Sequence, residues 1–390
     1  MKPATKRFAQ RHTILALSLF AAFGAVHAQD DDEDPEITAM KTPESVVSVG
    51  IGSVNAASAD KALYGQYNAQ RNNSAQALID VDYKKRNTET GTWTLFKGSN
   101  LGQDNREFNA ALIKQGDWKI AFDLNTITRD DPRTLVTGAG SEVNLSTKRQ
   151  GLGLAGSKWV TPRLQLELDF KSEHKTGSRL TGQGIACGVY SNAYNTCGLA
   201  AGTAAMLAGT TGGMLLLPEP MDSTIKLIDA RLNYAGDQFA LHGGYYGSFY
   251  SNGVGSFGSG ISGNLYNPDG TVLSTGTAPG NNLLAQLQKQ RAAAPDNQAH
   301  QFYRHGNYNI KPSTRANFKL AKTHATQDAD FAAMGFTGPA GVSNLGAVVD
   351  TTLAQMGLTA RPMPKLSLTA NLRYEDKQDK TPLAAYTVVT

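Results

Sequence analysis

Trp118-Lys119-Ile120-Ala121-Phe122-Asp123-Leu124-Asn125 alternates without a break. Trp118, Ile120, Phe122 and Leu124 point one way, and Lys119, Ala121, Asp123 and Asn125 the other. A period of two is that of a strand with two unlike faces. The pattern recurs at 164–171, where Leu164, Leu166, Leu168 and Phe170 oppose Gln165, Glu167, Asp169 and Lys171. It recurs again at 366–375, where Leu366, Leu368, Ala370, Leu372 and Tyr374 oppose Ser367, Thr369, Asn371, Arg373 and Glu375. Weaker versions run through 76–84, 92–101, 107–115, 150–160, 224–235, 238–251, 314–326 and 350–361, with 46–53 and 298–308 the least regular. The pattern predicts thirteen strands, most near the ten or so residues that a tilted strand needs to cross a membrane.

A soluble sandwich also alternates, so the connections decide the class. Gln115-Gly116-Asp117, Thr161-Pro162-Arg163, Ala235-Gly236-Asp237, Lys311-Pro312-Ser313 and Pro362-Met363-Pro364 are tight turns. Between them lie long segments rich in Gly, Ser, Thr and Asn, at 129–147, 174–223, 252–297 and 327–349. Short inner turns and long external loops are the asymmetry of an outer-membrane barrel. Tyr83, Trp93, Trp118, Trp159, Tyr234, Phe239 and Tyr308 fall within a few residues of the short turns, where an inner aromatic girdle belongs. The expected fold is therefore all-β, an antiparallel transmembrane β-barrel occupying 46–390. An odd strand number is unusual for a closed single-chain barrel, and no closing strand with a terminal aromatic is visible before Thr390. The expectation is a portion of a larger barrel.

Residues 1–28 read as a secretory signal peptide. Lys2, Lys6, Arg7 and Arg11 precede an apolar stretch at 14–25, and Val26-His27-Ala28 supplies small residues for cleavage before Gln29. That apolar stretch is too short to span a bilayer as a helix, which needs about 20 residues. Without the leader's four cations, the 37 Lys and Arg fall to 33, against 33 Asp and Glu. A net charge of zero gives no reason to expect nucleic acid as a partner. Residues 29–45, with Asp30 to Asp34, read as an acidic, flexible segment. The expected location is the outer membrane of a Gram-negative bacterium, reached through the Sec pathway.

No enzyme site is visible. His174, His242, His300, His305 and His324 have no metal-ligand spacing; His300 and His305 read as a neighbouring surface pair. No nucleophile elbow, phosphate loop or haem-attachment motif occurs. A hydrolase would need a Ser/His pair, and His242 and Ser248 lie six residues apart along one strand. Cys187 and Cys197, in the longest loop of an exported chain, read as a disulfide. Closing that loop is worth about 3 kcal/mol in the chain-entropy account. The face opposite the apolar stripe carries Lys119, Asp123, Glu167, Asp169, Lys171, Arg231 and Arg373, the candidate lumen-facing contacts.

Several stretches, in order, resemble one family. They are 47–54 with Tyr64-Gly65-Gln66-Tyr67-Asn68, then Gly91-Thr92-Trp93 leading to Asn100-Leu101-Gly102-Gln103-Asp104-Asn105-Arg106-Glu107. Gln115-Gly116-Asp117-Trp118 follows, then Pro312-Ser313-Thr314-Arg315 running into Thr326-Gln327. Last come Leu372-Arg373-Tyr374-Glu375-Asp376-Lys377 and Asp379-Lys380-Thr381-Pro382. The ordered set is similar to the MtrB/PioB family of decahaem-cytochrome-associated outer-membrane proteins, and resembles the N-terminal part of its longer members. Some members carry a CxxC pair after the signal; here the acidic tract stands instead.

The resemblance implies a sheath around a periplasmic multihaem c-type cytochrome, forming a conduit for electrons across the outer membrane. The haem is then carried by that partner and no cofactor by this chain. An outer-surface cytochrome at the external loops and the outer-membrane lipid are the other implied partners. From the residues alone, a polar lumen suits a diffusion porin equally well.

Overall fold

The computed structural model describes residues 44–55, 57–67, 75–136, 142–185, 213–260, 265–266, 272–274 and 288–384. The expected leader, most of the acidic segment and the Cys187–Cys197 pair lie outside them. Thirteen long strands form one continuous antiparallel sheet. They are β1 (Val46–Ser53), β2 (Ala75–Arg86), β3 (Thr92–Ser99), β4 (Arg106–Lys114), β5 (Trp118–Val136), β6 (Glu142–Thr161), β7 (Leu164–Ile185), β8 (Gly213–Ala235), β9 (Phe239–Asn252), β14 (Asn297–Lys311), β15 (Thr314–Gln327), β16 (Ala347–Met363) and β17 (Leu366–Asp379). Each pairs with its neighbour in sequence, and β1 does not pair with β17, so the sheet is open between them. Four short strands, β10 (Ser256–Phe257), β11 (Leu265–Tyr266), β12 (Val272–Ser274) and β13 (Arg291–Ala292), sit within the connection from β9 to β14.

The tight turns all fall at one end. Gly91 and Gly116 turn there with φ of +66° and +74°, and a Cβ at either would meet nothing within 4 Å. Left-handed backbone is what their glycines permit.

At the other end the strands run well past their expected limits. Residues expected as loop at 129–147 are mostly the ends of β5 and β6, and much of 174–223 belongs to β7 and β8. Alternation fades there because a strand rising into water needs no apolar face. Its pairing rests on cross-strand contacts such as Arg179 with Glu219, two parallel hydrogen bonds of 2.8 and 2.7 Å between register partners.

One helix, α1 (Ser58–Gly65), lies in the β1–β2 connection, where the sequence reading had none. Gln66 beyond it accepts a hydrogen bond from Asp130 N at 3.0 Å, and Arg129 lies 5.3 Å over the Tyr67 ring, tying it to β5. Phe257 and Ala293 are buried in a small external cluster, where Arg291 reaches Gly182 O at 2.7 Å.

The sheet has no interior in the usual sense. Register places Ile120, Leu168, Ala230, Tyr245 and Phe302 on one face, with the row beside it carrying Phe122, Leu154, Phe170 and Ile228. Ile120 is 57% exposed, Leu168 53% and Leu372 68%. A water-soluble sheet buries such a face against another layer. A bare apolar band alternating with a polar face is what hydrocarbon on one side requires. No helix among the described residues is long and apolar enough to cross a membrane.

The girdle divides. Tyr83, Trp118, Tyr234, Phe239 and Tyr308 share the apolar face, and Tyr234 stacks on Phe239 at 5.3 Å. Trp93 and Trp159 pair with Ile113 and Gln165 on the opposite face. Nearness to a turn fixes height in the membrane; only parity along the strand fixes the face.

Candidate functional site

All seven candidate lumen residues share the polar face. Register runs from Lys119 through Ser157 to Glu167, Arg231, Gly244 and Tyr303, and on through Ala321 and Leu353 to Glu375, with Arg373 two residues before it on the same face. Asp123 and Lys171 flank Gly153 in another row. The sheet spreads these residues over many strands, and only part of the set meets.

Glu167, Asp169 and Arg231 meet. The Arg231 guanidinium lies 3.2 Å from a Glu167 oxygen and also pairs with Asp169. Asp229, outside the expected set, stands 3.7 Å from Arg231 Nε and accepts a hydrogen bond of 2.7 Å from the Tyr303 hydroxyl. Three carboxylates around one guanidinium leave an acidic surplus at this cluster.

Tyr303 reaches Asp229 by crossing β9 over Gly244. A Cβ there would sit 2.3 Å from the Ala230 carbonyl and 3.0 Å from the Tyr303 hydroxyl. Gly153 serves the same purpose beside Asp123, whose carboxylate occupies the space where a Cβ would stand. Small residues opposite large polar ones let the lumen side chains lie flat along the wall.

Arg373 pairs with Glu375 along its own strand, far from this cluster. Lys119 and Asp123 line a groove of about 410 Å³ with Asp82, Lys84 and Lys97. Its mixed charge is suited to a wet, polar contact.

His300 and His305, expected as a neighbouring pair, are separated. Five residues along a strand reverse the face, so His305 stacks on His242 in the lumen at 4.8 Å while His300 accompanies Tyr245 and Phe249 on the other side. His242 Nδ1 lies 2.8 Å from Asn233 Oδ1. His242 and Ser248 both lie on β9 with five residues between them, too far apart to act together. Among the described residues no group of three or more His, Cys, Asp or Glu could hold a metal. The His242–His305 stack was invisible in sequence, because 62 intervening residues separate two histidines that register sets opposite each other.

Comparison with known proteins agrees with this architecture. A curated relative, outer membrane protein MtrB of Shewanella baltica, is 24% identical over 329 residues. The match takes in 82% of this chain and 44% of the relative, so the chain spans less than half of that protein's length. A solved structure, outer-membrane expressed OmpT of Vibrio cholerae, aligns over 86% of this chain and 89% of that one at 9% identity. Its TM-score of 0.30 carries no argument about the fold. The family described as outer membrane beta-barrel porin, MtrB/PioB, matches residues 56–390. Sheet, faces and family match converge, and the chain belongs to the MtrB/PioB family of outer-membrane β-barrel porins.

Proposed function

We propose that this barrel sheathes a periplasmic multihaem c-type cytochrome and so forms a conduit for electrons across the outer membrane. The observation that carries the reading is a polar face of mixed charge running across the wide sheet, in a chain of this family. Such a face offers a protein occupant many water-tolerant contacts, and the flat side chains around Gly153 and Gly244 leave it room.

On this reading the chain is not an enzyme and binds no cofactor itself; the haem belongs to the occupant. The chain reaches the outer membrane through the Sec pathway, and its external end receives an outer-surface cytochrome. The barrel supplies insulation from lipid and a fixed position for the redox centres. The family description favours a second reading, a diffusion porin whose lumen carries water and solutes.

Liposomes enclosing a reduced redox dye distinguish the two. Barrel plus cytochrome should pass electrons to an external acceptor that cannot enter, and barrel alone should not. Equal dye oxidation in both cases overturns the conduit. Release of small encapsulated solutes through the cytochrome-loaded barrel establishes the porin.

A further inference from the structure

The lipid-facing surface carries a feature that neither conduit nor porin requires. Along β15 its apolar run is Ala316, Phe318 and Leu320, ending at Lys322. On β14 Arg304 shares that face, since it is paired with Leu320 while Phe302 is paired with Lys322. Arg304 and Lys322 are therefore diagonal neighbours, about 7–8 Å apart or somewhat less at Cβ in an antiparallel pair. Both are exposed. Among the described residues neither has an ion-pair or side-chain hydrogen-bond partner, and their surroundings explain why.

Asp350 on the same face is taken by Lys380 and His324, both at 2.7 Å. Asp376 lies two strands from Lys322, beyond Thr352, and accepts 2.7 Å from Gln378. Glu375 and Tyr303 point to the lumen.

Two free cations beside hydrocarbon are costly unless they find an anion at the interface. Arginine and lysine reach such an anion by laying their stems along apolar surface. Here that surface is a shallow groove of about 340 Å³ lined by both cations with Phe302, Leu320, Thr352 and Ala354. Lys322 stands nearer the end of β15 at Gln327, which carries the long connection, than its inner end at Thr314, hence toward the outer leaflet. The groove's chemistry is that of a doubly charged phosphate over an acyl chain.

We propose that Arg304 and Lys322 bind a phosphate of the phosphorylated glycolipid of the outer leaflet, with an acyl chain lying in the groove along Phe302 and Ala354. Thr352 offers its hydroxyl to the same phosphate. Lipid bound there would fix the height of β14, β15 and β16 in the membrane.

Native mass spectrometry of the full chain in detergent micelles tests this by titration with bisphosphorylated lipid A, its dephosphorylated form, phosphatidylglycerol and inorganic phosphate. Wild type should retain the bisphosphorylated form in preference to the other two lipids, and inorganic phosphate should not displace it. Each cation near an anionic headgroup is worth about fivefold, so Arg304→Gln with Lys322→Gln should weaken binding about thirtyfold. A folded double variant that binds as wild type does overturns the proposal, as does wild-type binding that ignores the phosphates. Equal retention of phosphatidylglycerol overturns the assignment to the glycolipid. Should the double variant fail to fold, Lys322→Gln alone, at an exposed position, should still weaken binding about fivefold, and no change there overturns the proposal.

Discussion

Gly244 is where one missing side chain shapes the lumen. With the Cβ absent, the Tyr303 hydroxyl crosses β9 to Asp229; with it present, the Ala230 carbonyl 2.3 Å away and the hydroxyl 3.0 Å away must both give. Gly244→Ala should therefore destabilise the barrel by about 1–2 kcal/mol, read as a lower urea midpoint of unfolding followed by heat-modifiable gel migration. The part of that loss that comes from the Tyr303–Asp229 hydrogen bond should vanish in a Tyr303→Phe background, while the part set by the Ala230 carbonyl stays; full additivity would show that Gly244 does not act through Tyr303. At the inner turn between β4 and β5, Asp117 makes an electrostatic case that pH can read. Its hydrogen bond with Lys158, then that with Lys114, holds the carboxyl below its ordinary 3.8. A depressed carboxylate contributes stability above its unfolded value, and that stability is lost as pH falls through the folded value. The wild-type barrel should thus lose stability on acidification below about pH 4, and Asp117→Asn should flatten that slope. An unchanged slope in the variant would mean that the turn's ion pairs do not hold the inner end together.

Among elements, β7 carries the clearest division of labour. Leu164, Leu166, Leu168 and Phe170 face hydrocarbon, and Glu167, Asp169 and Lys171 face the lumen. Leu168→Arg places a charge in the lipid-facing band and should cost about 2–4 kcal/mol. Lys171→Leu, on the other face of the same strand, should stay within about 1 kcal/mol. Comparable losses from both, measured by the same unfolding assay, would show that the faces are assigned wrongly. That division was legible in sequence because hydrocarbon enforces strict alternation over the residues that cross it. What was not legible follows from the same rule. Beyond the membrane β5 to β8 continue with both faces wet, so the alternation that announced them fades while their ladders, and pairs such as Arg179 with Glu219, carry on. Helix α1 escaped for another reason: eight residues in a connection carry too few periods to register. The candidate site was half legible. Parity placed all seven residues on one face, but only register could join Arg231 to Glu167, Asp229 to Tyr303, or His242 to His305.

For the whole molecule the decisive property is that one continuous sheet separates two environments, and chemical accessibility can map them. Cysteines introduced one at a time, with Cys187 and Cys197 replaced by serine, report on each face. Lys171→Cys and Arg373→Cys lie on the lumen face, six strands apart in the sheet order, whereas Leu168→Cys and Leu372→Cys lie on the lipid face three residues and one residue away along the same strands. In the empty barrel a membrane-impermeant maleimide should modify the first two and leave the second two unmodified. Loading the cytochrome should then protect Lys171→Cys and Arg373→Cys together, because an occupant that fills the lumen touches distant strands at once. Protection of one without the other would describe a partner docked on one wall or at one mouth, and loss of protection at both would leave an open channel. A protein sheath requires joint protection because its occupant must exclude water around the whole inner wall; a porin requires that wall to remain wet.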